Sequence, residues 1–136
     1  MYGNLIAIVG PSGSGKDTLI FELKNRIKAH FPWRSITRQN FPNDEKCISV
    51  TLDEFFDLLR NNQFASHWSA YGLNYGIPAN INQFLSNKTD AIFDCSRAAL
   101  NNISHNYLNL SVIAVTVSPT ILRKRLITIN RLRKLK

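Results

Sequence analysis

Apolar residues along this chain fall into two periods, and the two alternate. Leu5-Ile-Ala-Ile-Val9 is an unbroken apolar run bounded by Gly10 and Pro11, the pattern of a strand buried on both faces. From Asp17 to about Ala29 the spacing turns helical, with Leu19, Ile20, Leu23 and Ile27 as the apolar stripe and Pro32 as the stop. A second helix is predicted over Leu52–Arg60, where Thr51 and Glu54 have the spacing of a capping box. Pro78 to Leu85 reads as a third. Asp90–Asp94 reads as a short strand, and Ser96 to about His105 as a helix. Ser111–Val117 is the clearest β-branched strand, and Pro119 to the end reads as a helix with Leu122, Leu126, Ile129 and Leu132 on one face. Buried strands alternating with helices predict an α/β fold, a parallel sheet with helices on both sides. No repeat or linker interrupts the pattern, and 136 residues suit one core.

Charge changes this picture only at one end. The net charge is +8, yet up to Asp94 nine basic residues balance nine acidic ones. Arg97 and the seven Lys and Arg from Arg123 to Lys136 carry the whole excess. The basic character is thus a local tail and not a domain-wide nucleic-acid footprint. That tail has no stacking aromatics, which argues against single-strand binding. No apolar run approaches the roughly 18–20 residues that span a bilayer, and Leu5–Val9 is too short for a signal peptide. A cytoplasmic protein with no membrane partner is expected. Cys47 and Cys95 form no C-x-x-C and read as buried thiols in a reducing compartment; His30, His67 and His105 are scattered and suggest no metal site.

The strong chemical signal follows the first strand. Gly10, Pro11, Ser12, Gly13, Ser14, Gly15, Lys16, Asp17 and Thr18 contain the G-x-x-x-x-G-K spacing of a P-loop. Glycines let the backbone turn tightly and bring N–H groups to phosphate oxygens. The helix that starts near Lys16 points its positive end at the same place, and Lys16 reaches the β- and γ-phosphates. Asp17 stands where a Ser or Thr usually meets Mg²⁺. It is either a metal-shell carboxylate or a helix N-terminal acid, and Thr18 could turn its hydroxyl to the metal instead.

The loop, together with Ser35-Ile-Thr-Arg38, Leu73-Asn-Tyr-Gly76, Ser96-Arg97 and the segment Val117–Leu126, resembles the guanylate-kinase-like superfamily. Within it, the Gly-Lys-Asp form of the loop, His67-Trp68 before Gly72-Leu73, and the Ser-Arg pair are similar to the ribose 1,5-bisphosphate phosphokinases of phosphonate catabolism. The resemblance covers Leu5 to about Leu126. It implies transfer of the γ-phosphate of ATP, with Mg²⁺, to ribose 1,5-bisphosphate, giving 5-phosphoribosyl 1-diphosphate. By the same resemblance Arg38 and Tyr75 hold an acceptor phosphate. Asp94 sits near the Mg²⁺ shell or caps the strand end, and Arg97 meets substrate phosphate or solvent. Trp68 and Tyr71 read as packing more than as sugar contacts. Ser66 stands where guanylate kinases carry the glutamate that reads guanine, and no acid lies between Asp57 and Asp90. A guanine site without its carboxylate loses discrimination.

The resemblance implies a sheet of order 2-3-1-4-5, and it stops before the family's lid and last strand. Residues 1–126 are therefore expected to be an incomplete P-loop kinase core, and 127–136 a basic tail matching no lid. Without its last strand the Ser111–Val117 strand would be an exposed edge, the fold marginal and the turnover poor. The alternatives are a guanylate-kinase-like nucleoside monophosphate kinase and a non-catalytic, truncated nucleotide-binding remnant. The partner implied is a small phosphorylated sugar, and the sequence leaves the oligomeric state open.

Overall fold

A computed structural model describes residues 2–11, 14–38 and 47–118, with residues 120, 121, 124 and 127 beyond them. The main sheet contains β1 (Leu5–Val9), β6 (Ala91–Asp94) and β7 (Leu110–Ala114), all parallel, in the order β6-β1-β7. His30 extends it beyond β6 through a parallel bridge to Ala91, and the Ile92 N–H donates to the His30 carbonyl at 2.9 Å. Taken in chain order, β1, His30, β6 and β7 stand as 2-3-1-4, in keeping with the expected sheet. Central β1 is almost wholly buried, as its unbroken apolar run predicts.

Four further strands form a second, mixed sheet ordered β3-β2-β5-β4: β2 (Arg34–Ile36), β3 (Cys47–Ser49), β4 (Phe64–Ala70) and β5 (Leu73–Pro78). β2 and β3 are parallel, whereas β5 runs antiparallel to both β2 and β4. Tyr71 and Gly72 join β4 to β5 as a two-residue turn with positive φ at both positions (54° and 74°), the geometry that suits the twist of a hairpin. Leu5, Ala7 and Val9 of β1, with Ala91 and Phe93 of β6, pack against Trp68, Ile77 and the helix α3 (Ile81–Ser86), so one core joins the two sheets.

The helices agree with the sequence except at their ends. α2 (Leu52–Arg60) has both capping-box hydrogen bonds, Glu54 N–H to Thr51 Oγ1 and Thr51 N–H to Glu54 Oε1, each 3.1 Å. α1 (Lys16–Arg26) stops before Pro32 acts: Ile27 is already extended and 45% exposed. The chain must be extended there to bring His30 beside β6, and this pairing overrides helix propensity. Leu19, Ile20 and Leu23 are at most partly buried. Pro78 ends β5 and does not start α3, and the predicted Ser96 helix is a 3-10 turn (Arg97–Ala99) followed by α4 (Leu100–Asn106). β7 ends at Ala114, three residues short of Val117. It pairs only with β1 among the described strands, with Val112 47% and Ile113 43% exposed. Thr120, Ile121, Lys124 and Ile127 are helical and exposed, and the Ser118 hydroxyl accepts the Ile121 N–H. The expected stripe of Leu122, Leu126, Ile129 and Leu132 lies outside the described residues, as does the tail from 128 to 136. No helix of the described residues is long and apolar enough to cross a membrane.

Candidate active site: a candidate phosphate loop and an arginine-tyrosine corner

The candidate phosphate loop leaves the C-terminal end of β1, the edge where parallel sheets place their ligands. Gly10 is required by space: a Cβ there would lie 2.6 Å from the Val115 carbonyl oxygen and 2.9 Å from Ser14 Oγ. The Ser14 N–H donates to the Pro11 carbonyl at 3.1 Å, closing the described part of the loop. Gly15 caps α1 in the left-handed region (φ 98°), which a side chain would strain. Ser14 is buried, and its Oγ has no hydrogen-bond partner among the described residues. A buried hydroxyl without a partner is costly unless a ligand supplies one, so the loop fits an oxyanion. Lys16 opens α1 and is partly buried, whereas Asp17 and Thr18 lie on its first turn, toward solvent. Ser12 and Gly13 lie outside the described residues.

The end of β6 meets this loop. The Cys95 N–H donates to the Ile8 carbonyl at 3.1 Å. Burial first, and then the Asp94 charge, push the Cys95 thiol up to about 12, against the opposing pull of Lys16 and Arg34. Lys16 and Asp94 therefore share one neighbourhood. Arg97, three residues on, is exposed on its 3-10 turn.

The second sheet carries Tyr75, with Arg38 just past the end of β2. Thr37 and Asn74 lock β2 to β5 reciprocally: the Thr37 N–H donates to the Asn74 carbonyl (3.1 Å), and the Asn74 N–H to Thr37 Oγ1 (2.9 Å). Arg38 follows directly, with its carbonyl accepting from the Ser49 hydroxyl. An open groove of about 480 Å³ runs past Thr37, Arg38, Ser49, Thr51 and Asn74. Ile36 pairs with Tyr75, so Tyr75 stands on the strand beside Arg38. Its ring is stacked on Trp68, with centroids 5.4 Å apart and planes 3° from parallel. Trp68 is core, as expected, and Tyr71 is 96% exposed at the hairpin turn. Ser66 is buried on β4, and its hydroxyl has no partner among the described residues.

One residue of this corner carries no mark in the sequence. Arg34 opens β2 and pairs with Asp94 across the two sheets, Nη1 to Oδ2, at 3.4 Å. Its Nη2 donates to Cys47 Sγ at 3.7 Å, and its guanidinium lies 5.9 Å from the centre of the Tyr75 ring. Burial works to lower the Arg34 pKa, but Asp94, then Cys47 and Tyr75, more than offset it, so the group is held above its usual range. Asp94, expected near a metal, is thus in an ion pair here. The available signal was an arginine one residue ahead of the buried Ser35-Ile36 pair, in a strand too short to show a period.

No protein-family model matches the chain. It is 37% identical over 134 residues to the ribose 1,5-bisphosphate phosphokinase PhnN of Azotobacter vinelandii, covering 96% of this chain and 73% of that protein. Proteins of the same name from Rhizobium etli and Thiobacillus denitrificans are each 38% identical over 128 residues, with 91% of this chain covered and 65% and 67% of theirs. The chain therefore spans about two thirds to three quarters of the length of the curated relatives it matches. Among solved structures, a guanylate kinase from Anaplasma phagocytophilum superposes with a TM-score of 0.80 at 18% identity, over 91% of this chain and 66% of that one, a likeness of fold. By its identity and coverage against these relatives, the chain belongs to the ribose 1,5-bisphosphate phosphokinase family, a family of phosphotransferases, on a guanylate-kinase-like α/β fold.

Proposed function

We propose that the protein transfers the γ-phosphoryl group of ATP to the 1-phosphate of ribose 1,5-bisphosphate, giving 5-phosphoribosyl 1-diphosphate and ADP. The observation that carries this reading is the candidate phosphate loop at the end of β1, where Ser14 Oγ is buried without a partner among the described residues, together with a second sheet that carries Tyr75 and, just past β2, Arg38. Family membership supports the choice of acceptor.

The acceptor is a phosphate monoester whose second pKa is near 6, so its attacking oxygen is already ionised at neutral pH. No general base is required. What the chain must do is align two anionic groups and offset their charge. In this reading Lys16 and the loop N–H groups bind the donor phosphates. Arg38 presents its planar fork to the acceptor phosphate and Tyr75 a hydroxyl. Arg97, exposed on its turn, would contact the acceptor phosphate in the same reading. Asp17 and Thr18 put two exposed, oxygen-bearing side chains on the first turn of α1 beside Lys16, a donor set that fits Mg²⁺, which characteristically takes one or two protein oxygens and completes its shell with phosphate and water. Asp17, Thr18 and Asp94 are the residues that would hold it, and the ion would neutralise phosphate charge when bound.

The test is to incubate the protein with ATP and Mg²⁺ and either ribose 1,5-bisphosphate or GMP, and to follow ADP and the phosphorylated product. Ribose 1,5-bisphosphate is expected to be the preferred acceptor, because Ser66 brings no carboxylate to a guanine. Preference for GMP would overturn the reading.

A further inference from the structure

Arg26–Glu22 and Arg60–Asp57 are ion pairs within single helices, with side chains at least half exposed, a setting in which such pairs contribute little. Arg34–Asp94 is of a different kind. It connects β2 of the small sheet to the last residue of β6 in the main sheet, and both side chains are only about one-fifth exposed (21% and 20%). The same guanidinium reaches Cys47 on the neighbouring strand and the Tyr75 ring. A planar fork with five donors can meet a carboxylate, a sulfur and a ring face together; an ammonium offers a compact charge without that plane.

The Tyr75 ring is therefore fixed by two flat partners, Trp68 from the core and Arg34 from β2. Arg34 is itself fixed by Asp94, one residue before the Cys95 N–H that bonds to β1. A continuous set of contacts runs from the strand that carries the phosphate loop to the phenol ring of the arginine-tyrosine corner.

We propose that Arg34 is a positioning residue for the acceptor half of the site, orienting Tyr75 and holding the small sheet in register with the end of β6 through Asp94. This rests on the proposed function, in which Tyr75 faces the acceptor. Arg34 touches neither substrate. Because Asp94 offsets its charge, removing the guanidinium plane should disturb the acceptor site and leave the phosphate loop intact.

The experiment compares wild type with Arg34→Lys and with Arg34→Gln. Binding of ATP and of ribose 1,5-bisphosphate is measured by calorimetry, alongside the melting temperature and the near-ultraviolet dichroism of the Trp68–Tyr75 stack. Arg34→Lys keeps the charge and loses the fork, so acceptor affinity should fall by about tenfold, with ATP affinity within about twofold of wild type and an altered aromatic band. Should Arg34→Lys melt early, Arg34→Gln carries the comparison, since its amide can still donate to Asp94 while the charged fork is lost; it is expected to show the same loss confined to the acceptor. Full acceptor affinity in Arg34→Lys would overturn the proposal while leaving the proposed function standing. Loss of both affinities in step with the melting temperature, in both variants, would reduce Arg34 to a structural ion pair and overturn it likewise. A wild-type protein that binds ATP but not ribose 1,5-bisphosphate would refute the proposed function itself, and this proposal with it.

Discussion

Gly76 should be among the least replaceable residues of the small sheet, and the reason is steric. It lies on β5 directly after Tyr75, opposite Ser35 of β2 and His67 of β4. A Cβ built there would come within 2.4, 2.6 and 2.7 Å of three ring carbons of Phe64. Carbon atoms pack at about 3.5–4.0 Å, so the ring or the strand would have to move by roughly an ångström. The ring cannot retreat freely. It packs on Phe55 at 4.8 Å between centroids, and Phe55 of α2 is 2% exposed. Overpacking of this kind costs about 1–3 kcal/mol. Replacing Gly by Ala returns up to about 0.5–1 kcal/mol by stiffening the unfolded chain, so Gly76→Ala should destabilise by about 1–2 kcal/mol net. The loss is measurable against a total of about 5–15 kcal/mol, and urea unfolding of wild type and variant reads it as a lower midpoint at unchanged slope. Phe64→Ala removes all three ring carbons that clash, so in that background Gly76→Ala should cost little. A variant as stable as wild type, or an equal loss in the Phe64→Ala background, would refute the steric account. The same shift would also displace Tyr75, so acceptor affinity should fall in parallel.

Three other outcomes are expected. Lys16→Ala should lower ATP affinity by about tenfold or more, an order of magnitude set by losing a charge-assisted hydrogen bond, and leave the melting temperature unchanged, because Lys16 opens a helix without entering the core; calorimetry checks it. Thr51→Ala should cost about 1 kcal/mol in urea unfolding by breaking the capping box of α2. Cys95 should resist alkylation until the pH approaches about 12; because its thiol titrates higher in the folded state than the ordinary 9.0, its contribution to stability is complete below about pH 9 and declines as the pH rises toward 12, a slope that Cys95→Ala should flatten.

How much of this is legible in the sequence follows the length and regularity of each pattern. β1 is five apolar residues closed off by Gly10-Pro11, and its burial follows directly from that run. α2 announces itself through Thr51 and Glu54, and both hydrogen bonds are present. The small sheet does not. β2 and β3 are three residues each, too short for a period to show. β4 alternates, but Ser66 occupies one of its buried positions, so the apolar beat is lost there. Its hairpin turn uses Tyr71-Gly72 where Asn-Gly or Asp-Gly would have signalled it. α1 is shorter than its apolar stripe implies because nothing local marks Ile27; the cause is the distant pairing of His30 with Ala91. For the site, the glycine-lysine spacing is visible because backbone turns demand it, whereas the Arg34–Asp94 pair joins strands that only the folded chain brings together.

The two strands that flank β1 divide the proposed reaction between them. On one side of β1, the Val115 N–H donates to the Val9 carbonyl at 2.8 Å, and Gly10 leaves no room for a side chain against the Val115 carbonyl, so the phosphate loop is seated on the end of β7. On the other side the Cys95 N–H donates to the Ile8 carbonyl, and Asp94 beside it holds Arg34 and, through it, the Tyr75 corner. Neighbouring rungs of one central strand thus fix both halves, which is how a parallel sheet gathers ligands at the carboxyl ends of its strands. The two supports are unequal. β6 is buried at Ala91, Ile92 and Phe93, while β7 has Ser111 to Ala114 exposed. A strand with fewer buried contacts opens more readily than one inside the core. Local opening of β7 would release the loop side of the site first, and the acceptor corner, tied through Asp94 to the better-buried strand, would outlast it.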